Sequence, residues 1–141
     1  MATFFKFHQF VEDLAKGVHN LDTGALKVYL TNAAPDASAD AIKTDLAEIT
    51  NQNGYAAPVT LTGVDAEQTA GVLKLVADDV TITASGGTVG PFRYAVIYND
   101  TPTSPADPLI GAWDYGSAIT LADGESFLID FSAANGVLQI T

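Results

Sequence analysis

The spacing of hydrophobic positions changes character once along this chain, from helical to β, between residues 20 and 25. In the first twenty residues Phe4, Phe7, Phe10, Val11, Leu14 and Val18 fall within one sector at about 100° per residue. Lys6, Gln9, Glu12, Asp13 and Lys16 take the opposite side. The spacing predicts an amphipathic helix over 1–20, capped by Thr3 and ended by Gly17 or Asn20. Phe5 is the exception, because in a helix it projects into the polar side.

From residue 25 the period is two. In ALKVYLT (25–31), Leu26, Val28 and Leu30 alternate with Lys27, Tyr29 and Thr31. Further strands are expected at 59–64, 72–77, 80–84, 90–100, 109–115, 117–122, 126–131 and 136–141. Asp78 and Asp79 stand where a tight hairpin would join 72–77 to 80–84, and 65–71 reads as a connection. A short helical turn is expected within 43–50, and 99–108, with three prolines, reads as an irregular surface loop. About eight short strands separated by turn residues predict a mainly β fold, an antiparallel β-sandwich with one N-terminal helix. A jelly roll is the best eight-stranded candidate, and 1–141 is expected to form a single domain.

GPFRYAVIYND (90–100) breaks the simple alternation. Phe92, Tyr94, Val96 and Tyr98 share one face; Arg93, Ala95, Ile97 and Asn99 share the other. Both faces are largely apolar, whereas a sheet with one wet face alternates more cleanly. The first face is expected to fill the core. Ala95 and Ile97 then need the N-terminal helix or a second subunit above them, and Arg93 needs a carboxylate, since burying it unpaired is costly.

Charge narrows the partners. Six basic residues face seventeen acidic ones, a net charge of −11, and no Lys or Arg follows Arg93. Nucleic-acid binding depends on clustered Lys and Arg, and anionic membranes attract the same residues, so neither partner is expected. The chain has no cysteine, which excludes disulfides, thiolate nucleophiles and zinc-thiolate sites together. The first residues lack the n-region, h-region and cleavage site of a signal peptide, so synthesis and use without Sec export are expected.

Candidate chemistry is thin. His8 and His19 are eleven apart, not the i, i+4 pair of a helical metal site. A Ser-His-Asp or Cys-His system has no histidine in the β region to use. Asp78–Asp79, Asp123–Glu125 and Asp65–Glu67 are ordinary turn-formers, and neither 99–107 nor 122–125 has the spacing of an EF-hand loop. SGGTVGP (85–91) leads into a strand rather than a helix, so it reads as a turn and not a phosphate cradle. Trp113 and Tyr115 share a face with Leu109 and Gly111 and read as core rather than as a sugar platform. No enzyme activity, cofactor or metal is expected.

Certain phrases carry a resemblance. GPFRYAVIYND (90–100), LIGAWDYG (109–116) and ADGESFLIDFSAANGVLQI (122–140) are similar to small virion proteins of tailed bacteriophages. So is FKFHQFVEDLAKGVHNL (5–21) running into ALKVYLTNAAP (25–35). Within that group the chain looks most like a head decoration, or cement, protein. The resemblance implies a β-rich homo-oligomer, dimer or trimer, on the exterior of a capsid assembled in the host cytoplasm, bridging major capsid proteins. It brings no defined functional residues. The expected contacts come from the chain's own pattern: Phe4, Phe5 and Phe7 in the aromatic N-terminus, Arg93 and Ile97 on the second face of 90–100, and Thr101, Pro102 and Pro105 in the proline-rich loop. The competing expectation is a receptor- or glycan-binding module of a tail fibre or adhesin, built on 99–108 with Tyr115.

Overall fold

The aromatic N-terminus begins as a strand. In the computed structural model, which describes residues 2–141, Thr3–Lys6 forms β1 and the helix α1 is confined to His8–Ala15. Phe4 and Phe5 are therefore strand residues, and Thr3 caps nothing. Phe7 is the extended residue at the helix start and makes no side-chain cap. Thr, Phe and Phe in succession fit a pleated surface well, and β1 has a strand to join: Thr3, Phe4, Phe5 and Lys6 lie opposite Asp114, Trp113, Ala112 and Gly111. The helix ends where expected. Gly17 is left-handed (φ +79°), its N–H donates to the Leu14 carbonyl at 3.2 Å, and Val18 N–H donates to Asp13 at 2.9 Å. Those two bonds make a Schellman close.

The fold is mainly β, 44% strand and 8% helical, and its strand pairings are antiparallel. After α1 come β2 (Leu26–Thr31), a 3-10 turn (Lys43–Asp45), β3 (Val59–Thr60), β4 (Asp65–Thr69) and β5 (Val72–Val76). β6 (Val80–Thr83), β7 (Val89–Asn99), β8 (Leu109–Leu121), β9 (Ser126–Ile129) and β10 (Leu138–Ile140) complete the series. Among the described residues they form three sheets: β1-β8-β7-β2-β3, β10-β5-β4 and β6-β9.

Three expectations change here. The polar stretch 65–71 is not a connection but β4 and a hairpin turn onto β5, with Ala70 (φ +52°) and Gly71 (φ +83°) both left-handed. That is the geometry a two-residue hairpin loop wants. Asp78 and Asp79 do not close a hairpin: β5 and β6 belong to different sheets, and the two aspartates turn the corner between them. Asp78 accepts from the Thr62 hydroxyl at 2.9 Å, and Asp79 accepts from Phe131 N–H at 2.8 Å. Finally, 109–115 and 117–122 are one strand. Phe92 pairs with Ile119 and Tyr94 with Asp114, so two steps on β7 match five on β8, and the surplus bulges around Gly116 (φ +88°).

β7 is central, flanked by β2 and β8. Ala95, Val96 and Ile97 are all 0% exposed, so the chain covers both faces of this strand by itself. On the Val96 face, Tyr29 and Tyr98 meet edge to face at 5.8 Å, and the segment after β2 lies over them. Lys43 sits 5.0 Å above the Tyr29 ring, and the Tyr29 hydroxyl donates to the Lys43 carbonyl. On the Ala95 face lies Trp113, whose ring packs between Phe4 (5.0 Å) and Phe131 (5.5 Å). One hydrophobic cluster takes in Phe7, Ile97, Leu75 and Leu138, joining the sheets.

Candidate partner-binding groove

The residues expected to touch a partner do not form one patch. Phe7 and Ile97 are 0% exposed and serve the core, so neither is available to another molecule. Arg93 is half-exposed but committed: its Nε and Nη2 donate to the two carboxylate oxygens of Asp114 at 2.8 and 3.0 Å. The Arg93 side chain and a bond from Gly116 N–H hold the Asp114 carboxyl below the usual carboxylate range. Thr101 and Pro105 are exposed and Pro102 half-buried. The Thr101 hydroxyl accepts from Ala25 N–H at 2.8 Å, and its own N–H donates to Asn99, which pins the loop at its root. Nearby, Asp107 is pushed up by burial and by Asp100, while Lys27 pulls the Asp100 carboxyl down.

Phe4 and Phe5 do line a hollow. About 290 Å³ of space is bounded by Phe4, Phe5 and Lys6 of β1, Phe10 of α1 and Leu138, Gln139 and Ile140 of β10. A second hollow, about 270 Å³, shares Lys6, Phe10, Gln139 and Ile140 and continues past Val11 and Leu14 of α1 and Thr141. Together they make one groove. Consecutive strand residues point to opposite faces. A hollow touched by three consecutive residues of β1, and three of β10, therefore runs along the edges of both strands. Each of those strands ends its sheet. Val11, on the rim, is 50% exposed, high for a large apolar side chain. Lys6 is the only charged side chain among the lining residues.

Other features are structural. Trp113 and Tyr115 are half-buried against Phe4, Phe131 and Phe127, and burial pushes the Tyr115 hydroxyl up to about 12. Asp123 accepts from Gly86 N–H and so ties its turn to the one at 85–87, while Glu125 accepts from Ala122 N–H within its own turn. Among the described residues no three His, Asp or Glu side chains are placed to hold a metal, and no helix is long and apolar enough to cross a membrane.

Two polar clusters escaped sequence reasoning. Tyr55 reaches across the fold, its hydroxyl accepting from Leu30 N–H at 2.8 Å and donating to Glu48 at 3.2 Å. No local signal marks a tyrosine for a long-range contact of this kind. The second cluster joins Asp13, His19 and Asn99, all buried. Asn99 Nδ2 lies 3.3 Å from His19 Nδ1, which places the imidazole proton on Nε2. Asp13 Oδ1 accepts from Gln9 at 3.0 Å, whereas Asp13 Oδ2 and His19 Nε2 are buried without a partner among the described residues.

Burial lowers the His19 pKa below its ordinary value near 6.5, and Asp13 only partly opposes this. The folded chain thus holds fewer protons at this site than the unfolded chain at pH 5–6.5. Stability from His19 is complete above about pH 6.5 and is lost as pH falls toward the folded value. A falling thermal midpoint from pH 6.5 to 5 is expected, and His19→Gln should flatten it; an unaltered slope in that variant would assign the effect to other groups.

No protein-family model, curated protein or solved structure matches the chain.

Proposed function

We propose that this chain is a non-enzymatic structural protein that decorates and cements the capsid of a tailed bacteriophage, bridging major capsid proteins on the virion exterior. The observation that carries the reading is the groove. A chain that covers both faces of its central strand leaves an apolar channel open along two sheet edges, beside a half-exposed Val11. An opening of that kind suits a protein partner. The phage-like phrases at 5–21, 25–35, 90–100, 109–116 and 122–140 suggest the class of partner. A cement protein needs a rigid body and repeated contacts, each of which can be weak because shell symmetry makes them multivalent. Assembly as a homo-oligomer belongs to the same reading.

The layering we propose is a β-sandwich, with the two smaller sheets stacked over the five-stranded one. Trp113 against Phe131 and Leu75 within the common core support it. A jelly roll would divide eight strands evenly, and sheets of five, three and two strands are a different partition.

The test is add-back. Purified chain is mixed with expanded capsids lacking it, and electron cryomicroscopy should show new density on the shell exterior. Val11→Asp, on an exposed position, should keep the wild-type thermal midpoint and weaken capsid binding by at least about five-fold, the loss of about 1 kcal/mol that separates contributing interface residues from neutral ones. Chain that ignores capsids but binds glycans or cells would replace this reading with the adhesin one.

A further inference from the structure

We infer that the groove between β1 and β10 is a docking site for an extended segment of a partner protein, which adds as a strand and carries a carboxylate opposite Lys6. The inference rests on the proposed role only in naming the partner as a capsid protein; the groove's chemistry stands on its own geometry.

Shape comes first. β1 and β10 are the last strands of two different sheets, and the same hollow touches three consecutive residues of each. Edge strands carry backbone N–H and C=O groups with no strand beside them, and such edges accept extended peptides. β1 has four residues, long enough for about 13 Å of partner strand at roughly 3.3 Å per residue. Phe10, Val11, Leu14 and Ile140 give the alternate side chains of that strand an apolar floor.

Charge selects the occupant. Four of the six basic side chains sit in ion pairs: Lys16 with Glu12, Lys27 with Asp100, Lys43 with Glu48 and Arg93 with Asp114. Lys74 donates to the Ala133 carbonyl. Among the described residues Lys6 alone has neither kind of partner, and no acidic side chain lines the groove. On a chain of net charge −11 this is a local cationic point in a groove whose other lining side chains, Gln139 and Thr141 apart, are apolar. We assign the groove to the partner segment and place the homo-oligomer contacts of the proposed role elsewhere on the surface, since a second copy brings seventeen acidic residues and only six basic ones.

Two eight-residue peptides test this, titrated into isotope-labelled full-length chain at about 150 mM salt, where the bulk charge is screened beyond about 8 Å. Both alternate valine with threonine; one carries a central glutamate, the other a central lysine. Amide resonances of 3–6, 10–14 and 138–140 should shift, and the glutamate peptide should bind roughly two- to five-fold tighter, as an exposed ion pair allows. Lys6→Glu, at an exposed position, should reverse that order. Shifts confined to 101–107, no shifts, or an order indifferent to Lys6→Glu would overturn the site. So would concentration-dependent self-association that protects the β1 and β10 amides, since it would give the groove to a second copy. Capsid add-back separates the two claims. Capsid binding without peptide binding removes the strand site and leaves the cement role; peptide binding without capsid binding does the reverse.

Discussion

Replacing Ile97 with alanine is expected to lower the unfolding free energy by about 2–5 kcal/mol, the range for emptying a well-packed core position. Ile97 is 0% exposed and sits opposite Val28 on β2 and Gly111 on β8. The glycine matters to the size of the effect. A Cβ at Gly111 would lie 2.6 Å from the Phe4 ring, so Phe4 already fills the space beside Ile97. Phe4 is also held over Trp113 at 5.0 Å, which leaves it little freedom to collapse into a new cavity. Urea unfolding at neutral pH measures the loss, with the m-value unchanged if the unfolded state is unaffected. A loss below about 1 kcal/mol would show that this face is loosely packed. An Ile97 that instead met a partner would give a variant of normal stability and impaired assembly.

The same strand shows what could and could not be read from the sequence. Apolar residues on both faces of 90–100 correctly demanded two covers, and the class of fold followed from the period-two runs. The identity of the covers was not legible, because both are non-local: the segment around Lys43 lies over Tyr29 and Tyr98, and Trp113 meets Phe131 on the other side. At the N-terminus, phenylalanines at 4, 7 and 10 satisfy a helical sector and Phe5 alone does not, which is too little to turn the reading to a strand. What decides is a vacancy beside β8, which no window of twenty residues contains. β4 was missed for the opposite reason. Its residues Asp65, Glu67 and Gln68 are polar and exposed, and it is a strand through its pairing with β5 rather than through a buried face of its own. Of the residues that line the proposed groove, the pattern had singled out Phe4 and Phe5 as contacts but not Val11 or β10, since two sheet edges become neighbours only once the sheets are placed. The Arg93 salt bridge was anticipated; its carboxylate, Asp114, lies on the neighbouring strand.

Phe92→Ala is expected to cost about 3–5 kcal/mol, and the loss should be felt unevenly. Phe92 is 0% exposed and meets Phe127 edge to face at 4.9 Å; Phe127 in turn meets Tyr115 at 4.8 Å. This aromatic trio links β9 to the long sheet at the point where the β8 bulge turns the strand away from its register with β7. A two-stranded pair is marginal in water without something to pack against, and β6-β9 is such a pair. Removing the Phe92 ring forfeits both its buried area and the edge-to-face contact, the latter about 0.5–1.5 kcal/mol. Native-state hydrogen exchange should therefore show the amides of 80–83 and 126–129 opening at a lower free energy, while the β2–β7 amides still open only with the whole fold. An even loss across all strands would mean that β6-β9 is held by its turns, where Ala84 N–H donates to Glu125 and Gly124 N–H to Ala84, rather than by the ring.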